Sequence, residues 1–224
     1  IHKKIKYFGC GGRMHRDLLL HNNPDAIIFK NFFPLEQPAL VKEVPKEFDF
    51  VFFAAAVAPK KGIEDALDAL QIVKKEKTDV TLNVVGSCAP EYKDFLNKKI
   101  FELGLENNIT FNDYFPVHTD MHQHIKKSRF ALLPIKLDVI SGTVIEAILL
   151  DLPVVTYKTT GTPYLNREGE CVLISDIGDI KALANNMLRL LNSTELSERL
   201  RINAKAYVRK VFDNTTTARR LMDD

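Results

Sequence analysis

Asp138-Val-Ile-Ser-Gly142-Thr143-Val-Ile-Glu146-Ala147 is followed, after a short apolar run, by Pro153-Val154-Val155-Thr156-Tyr157. An acid stands in a loop, a Ser141-Gly142-Thr143 turn follows it, and an apolar helix opens there with Glu146 expected on its first turn. Residues 153–157 then read as a buried strand. The open end of a helix presents unpaired N–H groups and the positive pole of the helix dipole, which suits a diphosphate. An acid about one turn further in can accept hydrogen bonds from ribose hydroxyls. A helix followed by a buried strand is one step of the alternation that sets the expected fold class.

Outward from this stretch, strand-like and helix-like segments alternate almost throughout, which predicts an α/β fold with a parallel sheet. Strands are expected at 5–8, 26–29, 50–55, 81–85, 109–111, 130–133 and 154–157. Helices are expected at 13–21, 63–75, 91–103, 122–127, 143–150, 180–191 and 195–212. The helix at 63–75 places Ile63, Ala66, Leu67, Leu70 and Val73 on one face, as a helix packed on a sheet requires. Gly104 ends the helix before it. Prolines at 34, 38 and 45 mark 31–47 as a linker. No internal repeat, heptad array or low-complexity tract interrupts the pattern.

The 224 residues are enough for one large or two small domains with a sizeable core. A net charge of +2 implies no broad nucleic-acid footprint, and Lys and Arg cluster only at 2–6 and 199–220. Cys10, Cys88 and Cys171 lie far apart, so reduced thiols in a cytoplasmic protein are expected rather than a disulfide framework. No apolar run approaches a membrane span, and no signal peptide is evident. The chain starts at Ile1 and stops inside a helical pattern at Asp224, as a fragment would.

Taken together, the acid pair and the Pro-Val-Val strand resemble the retaining glycosyltransferases of the two-domain GT-B fold, in the large group-1/family-4 set. That family carries an acid, seven residues, a glutamate followed by Ala, and a later Pro-Val-Val. Asp138 takes the first acid position, where Glu is usual, and Glu146 takes the second. Gly161-Thr162-Pro163 and the run from Glu168 through Gly169, Glu170, Cys171, Val172 and Leu173 to Ile174 are similar to the family's next loop and strand. The resemblance implies that 48–224 form a Rossmann-like domain with helices on both faces, the C-terminal, donor-nucleotide half of a GT-B enzyme. Residues 1–47 would be the tail of the N-terminal half plus linker, with Asn31-Phe32-Phe33-Pro34 where the family has Asn-Gly-Val-Asp. The N-terminal domain that binds the acceptor would otherwise be missing.

The same resemblance assigns roles. Lys61 and Gly62 match a Lys-Gly pair that opens a helix, placing a movable cation beside a leaving diphosphate. Ala56 departs from the pattern, because the family has a diphosphate-binding Arg there; Lys60 is the nearest substitute cation. Gly142, Thr143 and Val144 would bind phosphate through backbone N–H groups, with Ser141 adding a hydroxyl. Glu146 lies among apolar neighbours, where an unpartnered carboxylate is costly, and ribose hydroxyls would partner it. Asp138 would hold donor-sugar hydroxyls; otherwise it is an ordinary turn residue. Gly86 falls in a turn lining the nucleotide cleft, and Tyr114 falls where backbone contacts to the base are expected; packing is the alternative for Tyr114.

Two further patterns are set aside. Gly9-Cys10-Gly11-Gly12 is similar to a dinucleotide fingerprint, but Met14 stands where the third glycine belongs. His118, His122 and His124 suggest a metal, yet no third ligand is placed by sequence, and Thr119 is read as a helix cap. A metal-free donor site needing no cofactor, with a UDP-sugar favoured as donor, is the expectation. The implied reaction moves a sugar from a nucleotide-diphosphate donor to a glycan or lipid-linked glycan, in the cytoplasm or in peripheral contact with the inner membrane face. Two alternatives stand beside it: an inactive nucleotide-sugar-binding module, and a GT-B-type nucleotide-sugar epimerase.

Overall fold

The computed structural model describes residues 5–10, 13–30 and 41–212. First come β1 (Tyr7–Cys10), α1 (Arg13–Asn22) and β2 (Ile27–Lys30), with the two strands paired in parallel from Tyr7↔Ile27 to Cys10↔Lys30. Gly11 and Gly12 of the glycine-rich pattern, positions 31–40 of the predicted linker and the basic residues beyond 212 lie outside the described residues.

The remainder alternates as its hydrophobic periods predict. In chain order it contains β3 (Phe48–Ala56), α2 (Ile63–Lys74), β4 (Leu82–Ser87), α3 (Pro90–Glu102), β5 (Ile109–Asn112), α4 (His118–Ile125) and β6 (Ser128–Leu133). Then follow α5 (Gly142–Leu149), β7 (Val154–Tyr157), β8 (Leu173–Ser175), α6 (Ile180–Asn192) and α7 (Thr194–Val211). The strands from β3 onward form one six-stranded sheet in the order β5-β4-β3-β6-β7-β8, every neighbouring pair parallel. The chain therefore builds outward from β3 to β5, returns beside β3 at β6, and builds outward again on the other side.

Strand alternation sorts the core into two layers. Phe50 and Phe52 of β3 join Leu82, Val84, Phe130 and Leu132 on one face, covered by α2, α3 and α6. Val51 and Phe53 join Val85, Ala131 and Leu133 on the other, covered by α4, α5 and the second half of α7. Buried on both faces, β3 reads as a nearly continuous apolar run, as a central parallel strand should. Fully burying each of its phenylalanines stabilises the fold by about 1.5–3 kcal/mol.

Two expectations are corrected. The helix at 122–127 begins four residues earlier, at His118, with Val117 as N-cap and no side-chain cap bond. Thr119 is therefore inside α4 rather than capping it. Glu146 is the fifth residue of α5, so its first turn holds no acid. Among the described residues, no helix is long and apolar enough to cross a membrane.

Candidate functional site

Because the six strands are parallel, their carboxyl ends share one edge, and the chain reverses direction across the sheet between β3 and β6. A crevice at such a reversal is where ligands bind in open α/β sheets. Ala56 ends β3, Gly86 lies near the end of β4, Tyr114 follows β5, and Asp138 lies between β6 and α5. The residues singled out by sequence are thus gathered at the carboxyl edge of the sheet.

The loops on either side of the reversal are pressed together. Gly62 has φ +81, and a Cβ there would lie 1.9 Å from the Pro134 carbonyl oxygen, so only glycine fits this approach. The Lys136 N–H donates to the Lys60 carbonyl at 3.1 Å, a second tie between the same loops. Lys61 closes a single 3-10 turn, Pro59–Lys61, just before α2; it is partly exposed and forms no ion pair among the described residues. Lys60 is exposed, and Ala56 beside them offers no charge.

A cation that sequence reasoning missed sits close by. The Lys136 ammonium lies 2.6 Å from Asp65 in the first turn of α2, and the buried Tyr157 hydroxyl donates to the other Asp65 oxygen at 2.8 Å. Burial and then the Asp65 hydrogen bond push the Tyr157 phenol well above its ordinary pKa. The pairing joins α2, β7 and the loop after β6 across long sequence separations, and no local pattern announces it.

The 138–146 segment is held from below. Asp138 Oδ1 accepts the Val139 N–H at 2.8 Å, and the Val139 carbonyl accepts both the Gly161 N–H at 2.9 Å and the Thr159 hydroxyl at 2.7 Å. Ser141 is buried at the N-cap of α5 and makes no side-chain cap bond. The Val144 N–H is already engaged, donating to the Ser141 carbonyl at 3.1 Å. The N–H groups of Gly142 and Thr143 have no such bond among the described residues, so they are the donors that the helix end offers.

Glu146 is the one charged side chain of α5, and a protein group partners it: Oε1 lies 2.6 Å from His122 Nε2 on α4. The His122 side chain is 5% exposed and that of Glu146 23%, so the carboxylate is anchored at one oxygen on a side chain still partly open to solvent. His118 stands one turn before His122, with ring centroids 5.7 Å apart. His122 was set aside on sequence; only the i, i+4 spacing with His118 hinted at a role. His124 has a different setting. It lies 3.1 Å from the Asn83 amide and packs against Phe115, and burial followed by Lys127 lowers its pKa.

Gly86 has a structural reason of its own: at φ +140, a Cβ would meet the Ala54 carbonyl oxygen at 2.0 Å, which brings β4 close under the end of β3. Tyr114 is 55% exposed in the loop after β5 and is not packed into the core. A backbone contact to a base and an exposed ring are compatible; packing as the reason for Tyr114 is not.

Comparison with known proteins bears on the family and the fold. The chain is similar to 2-deoxystreptamine N-acetyl-D-glucosaminyltransferase of Niallia circulans, 21% identical over 162 residues, covering 72% of this chain and 41% of that protein. It is also similar to the capsular polysaccharide biosynthesis glycosyltransferase CapM of Staphylococcus aureus, 24% identical over 162 residues, covering 72% of this chain and 42% of that protein. The fold matches a crystal structure of S. aureus TarM, a mutant in complex with fondaparinux, α-GlcNAc-glycerol and UDP. There the TM-score is 0.79 at 18% identity, with 98% of this chain and 44% of that chain covered. The chain thus spans less than half the length of these relatives, and its six-stranded parallel sheet flanked by helices matches GT-B glycosyltransferase structures. A profile described as glycosyl transferases group 1 matches residues 39–207, and the chain belongs to that family.

Proposed function

We propose that residues 48–224 are the donor-nucleotide half of a retaining glycosyltransferase, which moves a sugar from a nucleotide diphosphate, UDP by preference, to an acceptor hydroxyl. The observation that carries this reading is the meeting, at one sheet edge, of two helix N–H groups and a partly exposed lysine, none of them partnered among the described residues, with an anchored carboxylate. As the glycosidic bond breaks, negative charge builds on the diphosphate. Lys61 and the N–H groups of Gly142 and Thr143 stabilise it. Glu146, its inner oxygen held by His122, accepts ribose hydroxyls with its outer one, and Asp138 orients the sugar. The charge on the leaving group is met by protein donors, so this step needs no metal or other cofactor. UDP in the TarM complex supports the choice of base, and the capsular role named for CapM supports a glycan or lipid-linked acceptor. That acceptor would be met by a further domain, in the cytoplasm at the inner membrane face.

Transfer from UDP-sugars by the longer protein tests the reading, with the anomeric configuration of the product followed by proton NMR. Retained configuration is expected; an inverted product contradicts the assignment. A second reading, a module that binds nucleotide without turnover, is favoured by one observation: Ala56 supplies no charge at the end of β3. Losing one such donor costs about 2.7–4 kcal/mol of transition-state stabilisation. Under the transferase reading the natural protein turns over and Ala56→Arg changes its rate. Under the module reading turnover is absent and Ala56→Arg creates it.

A further inference from the structure

The histidines that lack a third ligand in the sequence acquire one in the fold. His118 and His122 occupy one face of α4 at i and i+4, and Glu146 reaches them from α5. One ligand atom from each of the three lies within 4.8 Å of the other two. The geometry points to a binding site for a zinc-class divalent cation, formed by His118, His122 and Glu146, which withdraws the Glu146 carboxylate from the donor pocket.

Two imidazoles and a carboxylate are a zinc donor set, and paired histidines one helical turn apart are a recurrent way of presenting it. Magnesium prefers an octahedron of oxygens and is poorly served by imidazole. With bonds of about 2.0–2.2 Å, tetrahedral zinc spaces its ligand atoms about 3.3–3.6 Å apart. The 2.6 Å contact between His122 and Glu146 is shorter than that spacing, and the group as a whole spans at most 4.8 Å, so an ion requires that contact to open while the group stays compact. The residues that must adjust have room. His118 is exposed at the first position of α4 and Glu146 is partly exposed, while the buried His122 supplies the fixed point. Three protein ligands leave a fourth position open to water.

Binding there exchanges the hydrogen bond between His122 Nε2 and Glu146 Oε1 for a bond from each atom to the ion, and any proton on Nε2 is released. The consequence rests on the donor reading above: ribose hydroxyls and the ion compete for one carboxylate, so zinc acts against donor binding. The arrangement is a brake on the site, outside the transfer chemistry itself.

Calorimetric titration of zinc chloride into this chain in chelator-free buffer tests the site. One ion per chain is expected, with magnesium chloride giving no saturable heat. His118→Ala, a change at an exposed position, and Glu146→Gln should each weaken zinc binding at least about tenfold, since even outer partners of a metal site are worth that much. No zinc binding by the parent, or equal binding by both variants, overturns the site. A repeat titration at saturating uridine, which carries the ribose but no zinc-chelating diphosphate, reads the competition: weaker zinc affinity is expected, and unchanged affinity overturns it. UDP binding measured alone in EDTA isolates the donor reading, so a failure there is distinguishable from failure of the metal site.

Discussion

At Gly62 two requirements coincide: a left-handed backbone and a carbonyl oxygen where a side chain would start. Gly104 has only the first, at φ +65 with open space around it. Gly104→Ala should therefore cost only the backbone penalty, about 1–2 kcal/mol. Gly62→Ala should cost more, because the loop after β3 must also part from Pro134. Urea denaturation of both variants measures this, and equal losses would mean that the two loops are not pressed together. At this scale the sequence was informative wherever a motif gave a residue its place. Asp138, Lys61 and Glu146 could be picked out as candidates from the chain alone, as could the departure at Ala56. Partners brought together by folding were not. His122 meets Glu146, and Tyr157 meets Asp65, across helices and strands, and nothing near either residue in the chain encodes the meeting.

Among the elements, α4 shows how periodicity leaves an end uncertain. Its apolar spacing indicated a helix, but with no side-chain cap to mark its start the first turn was missed, so His118 was placed ahead of the helix although its i, i+4 spacing with His122 was noted. The element also carries a pH dependence. Asn83 Oδ1 accepts from the Asn112 amide at 2.7 Å, which turns the Asn83 amide nitrogen toward His124 Nε2, so that nitrogen must be unprotonated to accept. Burial and the nearby Lys127 add to this, and the folded chain resists protonation of His124. The unfolded chain, with an ordinary imidazole near about 6.5, then binds more protons below that pH. The stability contributed by neutral His124 is complete above that value. It falls as pH drops through it, levelling off below the lowered folded pKa. His124→Gln should flatten this part of the stability profile in chemical denaturation between pH 7 and 5. A parent and variant with parallel profiles would show that His124 is not held neutral.

Over the whole molecule, alternation of helix and strand was enough to predict a parallel sheet, since β-α-β crossovers leave few other solutions, and the family resemblance added helices on both faces. The order β5-β4-β3-β6-β7-β8 was not readable from periodicity, which records each strand but not its neighbour. That order builds the candidate site, because it sets β3 and β6 side by side and ties the loop that carries Lys61 to the loop that leads into α5. The central claim is that this crevice holds a nucleotide diphosphate with Glu146 on its ribose. Thermal unfolding with and without UDP, in EDTA to exclude divalent ions, tests it most directly when Glu146→Ala is measured alongside. UDP at about 100 times its dissociation constant should stabilise the parent by about 2.7 kcal/mol, with little or no shift in the variant. No shift in the parent, or an equal shift in both, would contradict the claim.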